Sequence, residues 1–138
     1  MRVKSAVLYT TMSGNTREVA ELVAAEAKAE MVPISANPPD LSGYDLLFIG
    51  AYTWGQGETP DIVKDFAREL GYKPKNVAVF GTGDTQWTYY CGAVDRIAKF
   101  YESKYPTLKI EQSPRGQQAG IVTEWTREVI ECYNELKS

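Results

Sequence analysis

The sequence contains no histidine, and only two of its 138 residues are cysteine. Without imidazole there is no Ser–His or Cys–His pair for nucleophilic catalysis and no histidine ligand for a metal. Cys91 and Cys132 are too far apart for a CxxC motif and too few for a zinc quartet, so no metal site and no catalytic residue is expected. A disulfide framework is not expected in a chain long enough to build its own core. No apolar run approaches about 18 residues, so no membrane span is expected. The segment Met1–Ala6 lacks a signal-peptide apolar stretch, and the expected location is cytoplasmic. Basic residues are also scarce: 15 Lys and Arg stand against 18 Asp and Glu, a net charge of −3. That balance argues against a nucleic-acid partner, which would need a basic stripe.

What is present fits one domain spanning residues 1–138. The chain is 43% hydrophobic, enough for a sizeable core, and 24% charged. Aromatic residues make up 12% and call for an explanation.

Residues 3–9 form a short apolar run that ends at Thr10-Thr11-Met12-Ser13-Gly14-Asn15-Thr16, a strand followed by a polar loop. From Arg17 the period changes, and Val19, Ala20, Leu22, Val23, Ala24 and Ala27 form a helical stripe. Asn15, with Glu18 three residues on, has the pattern of a capping box. Residues 31–35 read as a strand containing Pro33, hence an edge strand. Residues 45–51 are continuously apolar after Asp45, as in a strand covered on both faces. The Gly-rich loop Tyr52–Pro60 leads to a helix with Thr59 as expected N-cap, Pro60 at its first position, and Gly71 as its stop. Its expected apolar face is Ile62, Val63, Phe66, Ala67 and Leu70. Residues 76–81 are another buried strand, and the helix after Cys91 carries Val94, Ile97, Ala98 and Tyr101 on one face. Residues 108–111 are a weak strand and 113–116 a turn. A last helix over about 120–136 presents Ile121, Val122, Trp125, Val129, Cys132, Tyr133 and Leu136.

Strands alternating with helices predict a parallel sheet with right-handed crossovers. Five strands with helices on both faces predict a doubly wound α/β fold of order 2-1-3-4-5. Ligands in such sheets bind beyond the carboxyl ends of the strands, where the order reverses. The loops after strands 1, 3 and 4 are therefore the candidate site.

The first of these loops is rich in hydroxyls, has no cation before Arg17, and runs into a helix N-terminus. Backbone amides and the helix dipole make such a loop an anion site, suited to a monophosphate. It is neither a Walker loop nor a dinucleotide fingerprint. The alternative is a Ser/Thr-rich capped turn that binds nothing. The other two loops each hold a Trp among glycines, Trp54 and Trp87, and a pair of rings there could sandwich a flat heterocycle. Asp84 could accept a hydrogen bond from a ring N–H, or serve only as a turn residue. A phosphate loop with a planar-ring clamp points to a mononucleotide with a large heterocycle.

With those residues in view, the chain resembles the flavodoxins. Thr11-Met12-Ser13-Gly14-Asn15-Thr16 resembles the family's phosphate loop. Thr53-Trp54-Gly55 resembles its first flavin loop, and Gly83-Asp84-Thr85-Gln86-Trp87-Thr88-Tyr89-Tyr90-Cys91-Gly92-Ala93-Val94-Asp95 resembles its second. The similarity spans essentially the whole chain and lacks the long-chain insertion, implying a short-chain flavodoxin. The resemblance implies FMN as cofactor, with Thr10 through Thr16 at the phosphate, Trp54 and Trp87 on the two flavin faces, and Gly55 offering its carbonyl to the flavin. It places Asp84 at the pyrimidine N–H and Tyr89 near the ribityl chain, with Tyr52, Thr53, Gly83 and Cys91 in the same loops. It implies a one-electron carrier and not an enzyme, a monomer that docks transiently with a flavodoxin reductase and redox acceptor enzymes. A dedicated flavoprotein activator of a metalloenzyme such as ribonucleotide reductase, or a small FMN quinone reductase, are the alternatives. A phosphoryl-accepting receiver domain is excluded, because residues 10–13 and 49–53 contain no acid.

Flavodoxins are usually strongly acidic, and the position of Gln56 is often Asp. Each unit charge about 8 Å from an anionic reduced flavin costs roughly 2 kcal/mol at an effective dielectric near 20. With a net charge of only −3, this chain is expected to show a less negative second reduction potential than its more acidic relatives. Potentiometry giving an equal or lower value would contradict this.

Overall fold

The computed structural model describes residues 3–11, 14–35, 37–52, 59–83, 91–111 and 117–137. In chain order its elements are β1 (Ser5–Tyr9), α1 (Asn15–Ala27), β2 (Glu30–Pro33), β3 (Leu46–Tyr52), α2 (Asp61–Leu70), β4 (Val77–Gly83), α3 (Gly92–Phe100), β5 (Leu108–Glu111) and α4 (Gln117–Lys137). The strands form one parallel sheet in the order β2-β1-β3-β4-β5, the order expected from the sequence.

The continuous apolar runs become β1, β3 and β4 because these strands are covered on both faces. Alternation then divides their side chains. Leu47, Ile49 and Ala51 of β3 pack with Val63 and Phe66 of α2 and with Val94 and Ile97 of α3. Leu46 and Phe48 face the other way, toward Val19 and Val23 of α1 and Val122, Trp125 and Val129 of α4. Pro33 sits in β2, which pairs only with β1, so its missing N–H lies at a sheet edge as expected. Trp125 is a core residue: its ring meets Phe48 at 5.7 Å and Phe80 at 5.9 Å, both edge-on, and its Nε1 donates to the Pro106 carbonyl at 2.8 Å.

Helix boundaries differ from the expectations in instructive ways. α1 begins at Asn15, not Arg17, and its N-cap is Gly14 at φ 93°, with no side-chain cap. The capping box of Asn15 and Glu18 therefore does not form. The glycine turns the chain into the helix through its positive φ, and its carbonyl accepts the Glu18 amide at 3.1 Å. Thr59 is likewise not the cap of α2. Pro60 takes that place, with its carbonyl accepting the Val63 and Lys64 amides at 3.0 and 3.4 Å, while Thr59 is buried one residue earlier. Gly71 does end α2, at φ 77°. β4 continues through Gly83, two residues past its expected end. α4 starts at Gln117, and Ile121 and Leu136, expected in its buried stripe, are 49% and 52% exposed. At 21 residues this helix is about 30 Å long, and only its middle turns lie over the sheet. The expected turn at 113–116 lies outside the described residues.

A Cβ on Gly81 would stand 2.4 Å from Val94 Cγ2 and 2.7 Å from the Ala51 carbonyl oxygen. The backbone oxygen, held in the β3–β4 ladder, cannot retreat as a side chain could. Gly81→Ala is expected to lower stability by about 1–3 kcal/mol, read by chemical denaturation; an unchanged midpoint would contradict this packing.

Candidate functional site

The register of the three central strands determines where their loops emerge. Tyr9 of β1 is level with Gly50 of β3, Ala51 with Gly81 of β4, and Tyr52 with Thr82. The three loops expected to hold the ligand therefore leave adjacent strands at one edge of the sheet. β2 lies on the opposite side of β1 from β3, so the chain order reverses between β1 and β3, where a crevice forms in folds of this kind.

The first loop is the best described. Thr10 extends the ladder by donating its amide to the Gly50 carbonyl at 3.0 Å. Thr11 Oγ1 accepts the Gly14 amide at 2.9 Å, which ties the loop into a tight turn. A hydroxyl that accepts one bond still has its own O–H to donate. Gly14 at φ 93° then delivers the chain into α1, whose first-turn amides, from Asn15 onward, have no acceptor within the helix. Those amides and the positive end of the helix dipole converge where an anion would sit. Arg17, the first cation after β1, is occupied by Glu21 at 3.3 Å.

Thr16 is also tied to the sheet. It is buried, and its hydroxyl is 2.8 Å from the hydroxyl of Thr82. Its side chain thus links α1 to β4 and leaves its backbone amide to face the loop. The apolar run of β4 ends at Gly81, so composition alone does not place Thr82 in the strand. Strand alternation was the available signal: Ala78, Phe80 and Thr82 share one face, and Ala78 and Phe80 pack on the α1 side.

At the ends of β3 and β4, Tyr52 and Gly83 are half-buried. Cys91 is buried in the α2–α3 side of the core, in a left-handed conformation at φ 50°, with its Sγ 3.9 Å from the Gly81 carbonyl. The thiol faces β4, so Cys91 could reach a ligand only through its backbone. Met12, Ser13, Thr53, Trp54, Gly55, Asp84, Trp87 and Tyr89 lie outside the described residues. The last six belong to residues 53–58 and 84–90, which follow β3 and β4 in the chain.

The Thr16–Thr82 contact can be tested apart from any ligand. Thr16→Val or Thr82→Val leaves the other hydroxyl buried without its partner, at an expected cost of about 1–3 kcal/mol each. In the double variant the two costs should fall short of additivity by about 1 kcal/mol. Additive losses in denaturant titrations would show that the hydroxyls do not act as a pair.

A family model described as Flavodoxin matches residues 7–105 of this chain. "Probable flavodoxin 2" of Bacillus subtilis is 38% identical over 130 residues, covering 83% of this chain and 86% of that protein. "Flavodoxin" of Maridesulfovibrio salexigens is 36% identical over 129 residues, covering 80% of this chain and 88% of that protein. Among solved structures, oxidised Flavodoxin 1 from Bacillus cereus superposes with a TM-score of 0.80 at 29% identity, covering 93% of this chain and 97% of that one.

Proposed function

Because the chain belongs to the flavodoxin family, FMN-binding carriers of electrons and not enzymes, we propose that the loops after β1, β3 and β4 are where this one holds its FMN. The observation that carries this reading is the geometry of Thr10, Thr11 and residues 14–16. A hydroxyl-tied turn passes through Gly14 into the free amides of α1. The described residues fit a phosphate monoester: they supply donors, no competing carboxylate before Glu18, and no cation that would favour a longer polyphosphate.

Bound FMN supplies the electron chemistry. The chain's own residues hold it. In this reading Thr10, Thr11, Met12, Ser13, Gly14, Asn15 and Thr16 surround the phosphate, Thr16 through its amide. Tyr52, Thr53, Trp54 and Gly55, and Gly83, Asp84, Trp87, Tyr89 and Cys91, frame the ring. Trp54 and Trp87 exclude water from the ring faces, and Asp84 accepts a hydrogen bond at the ring edge. No histidine is required, because no proton has to be moved by an imidazole.

The same reading makes the chain a single-domain monomer of the cytoplasm that exchanges electrons with a flavodoxin reductase and with redox acceptor proteins. No helix among the described residues is long and apolar enough to cross a membrane. Docking is expected to be transient and only partly electrostatic. The acids of α2 are interleaved with bases, and Asp65 is engaged by Arg68 at 3.1 Å.

Gly14→Ala tests the phosphate assignment. A Cβ there meets nothing within 4 Å, so the change acts only through the left-handed backbone, at a cost of about 1–2 kcal/mol. FMN affinity, measured by quenching of flavin fluorescence, should fall about five- to thirtyfold while riboflavin affinity stays unchanged. Equal losses for both flavins would remove the phosphate from this loop.

A further inference from the structure

α2 and α3 lie side by side on one face of the sheet, and between them is a cleft of about 490 Å³. This is within the usual size of small-molecule sites, roughly 300–1,000 Å³. Its walls are apolar: Val63 and Ala67 from α2, Ile97 and Phe100 from α3. Phe100 is 46% exposed, and the Lys73 ammonium lies 4.5 Å from its ring centroid. Tyr101, the residue after α3, also lines the cleft. It is only 5% exposed, and its hydroxyl is buried with no hydrogen-bond partner among the described residues. A buried donor left in this state is costly, and natural folds seldom keep one without a use. Burial pushes the Tyr101 phenol up to about 12, so at neutral pH it is a hydrogen-bond donor. Lys64, Arg68 and Arg96 also line it, with Thr59 just before the start of α2. Arg68 is engaged by Asp65, while Lys64 and Arg96 form no ion pair among the described residues.

We propose that this cleft binds a small amphipathic organic anion. Its apolar body lies between α2 and α3, a carbonyl-type acceptor takes the Tyr101 hydroxyl hydrogen, and its acid group meets Lys64 and Arg96. Each demand comes from a different feature: the apolar walls, the unmatched phenol and the basic lining. The site is separate from the loop edge at residues 10–16, on the far face of the sheet from α1.

The test uses the FMN-loaded full chain and 4-benzoylbenzoate as probe, which carries an aryl body, a ketone acceptor and a carboxylate. Calorimetric titration should show saturable one-to-one binding that weakens with salt. Tyr101→Phe should weaken it about fivefold or more, yet leave the unfolding midpoint unchanged or raised, because the variant buries no unmatched hydroxyl. A hydroxyl with a purely structural role would lower that midpoint instead. Lys64→Gln combined with Arg96→Gln should weaken binding about fivefold or more, without any change in the flavin spectrum. Absence of saturable binding at millimolar probe would overturn the proposal. So would affinity that Tyr101→Phe or the charge variants leave unchanged, or release of FMN by the probe.

Discussion

Phe80 lies against Gly50 so closely that a Cβ on residue 50 would stand 2.2 Å from its ring. That approach holds β3 and β4 in their register and gives Phe80 room to meet Trp125 and, through it, Phe48. The aromatic cluster then fixes α4 to one face of the sheet, while Gly81 accepts α3 on the other. β1, β3 and β4 run parallel in this register, so their carboxyl ends lie on the same side of the sheet. Loops that must act together on one ligand need that common platform. Small residues near the ends of β3 and β4 are therefore as much part of the site as the polar residues in the loops.

Much of this was legible in the sequence, for identifiable reasons. Buried parallel strands write themselves as unbroken apolar runs, and amphipathic helices as stripes, so the element order and the sheet order 2-1-3-4-5 could be read directly. Pro33 marked the edge, and Gly71 the end of α2. Helix starts were less legible. Asn15 and Thr59 have capping side chains, but Gly14 and Pro60 do the work through backbone geometry that composition does not display. Ile121 and Leu136 were misassigned because periodicity shows which side of a helix is apolar and not how far the sheet beneath it extends.

The site was legible as a set of loops and less so as a set of contacts. Hydroxyls in the first loop suggest ligand donors, and that of Thr16 also has a partner in Thr82, sixty-six residues away in sequence. A tertiary partner of that kind leaves no local signal. Thr11 shows the same economy on a shorter scale, since its oxygen secures Gly14 before it can serve a ligand. The Thr11–Gly14 bond ties these two residues together, and the first-turn amides of α1 have no acceptor within the helix. This suits a carrier whose protein part binds and orients a cofactor without taking part in bond making.

The visible spectrum of the purified chain, followed by denaturation and identification of the released flavin, tests the account most directly. A yellow protein with flavin bands that releases FMN and not FAD is the predicted result. A colourless protein that also fails to quench the fluorescence of added FMN would contradict it.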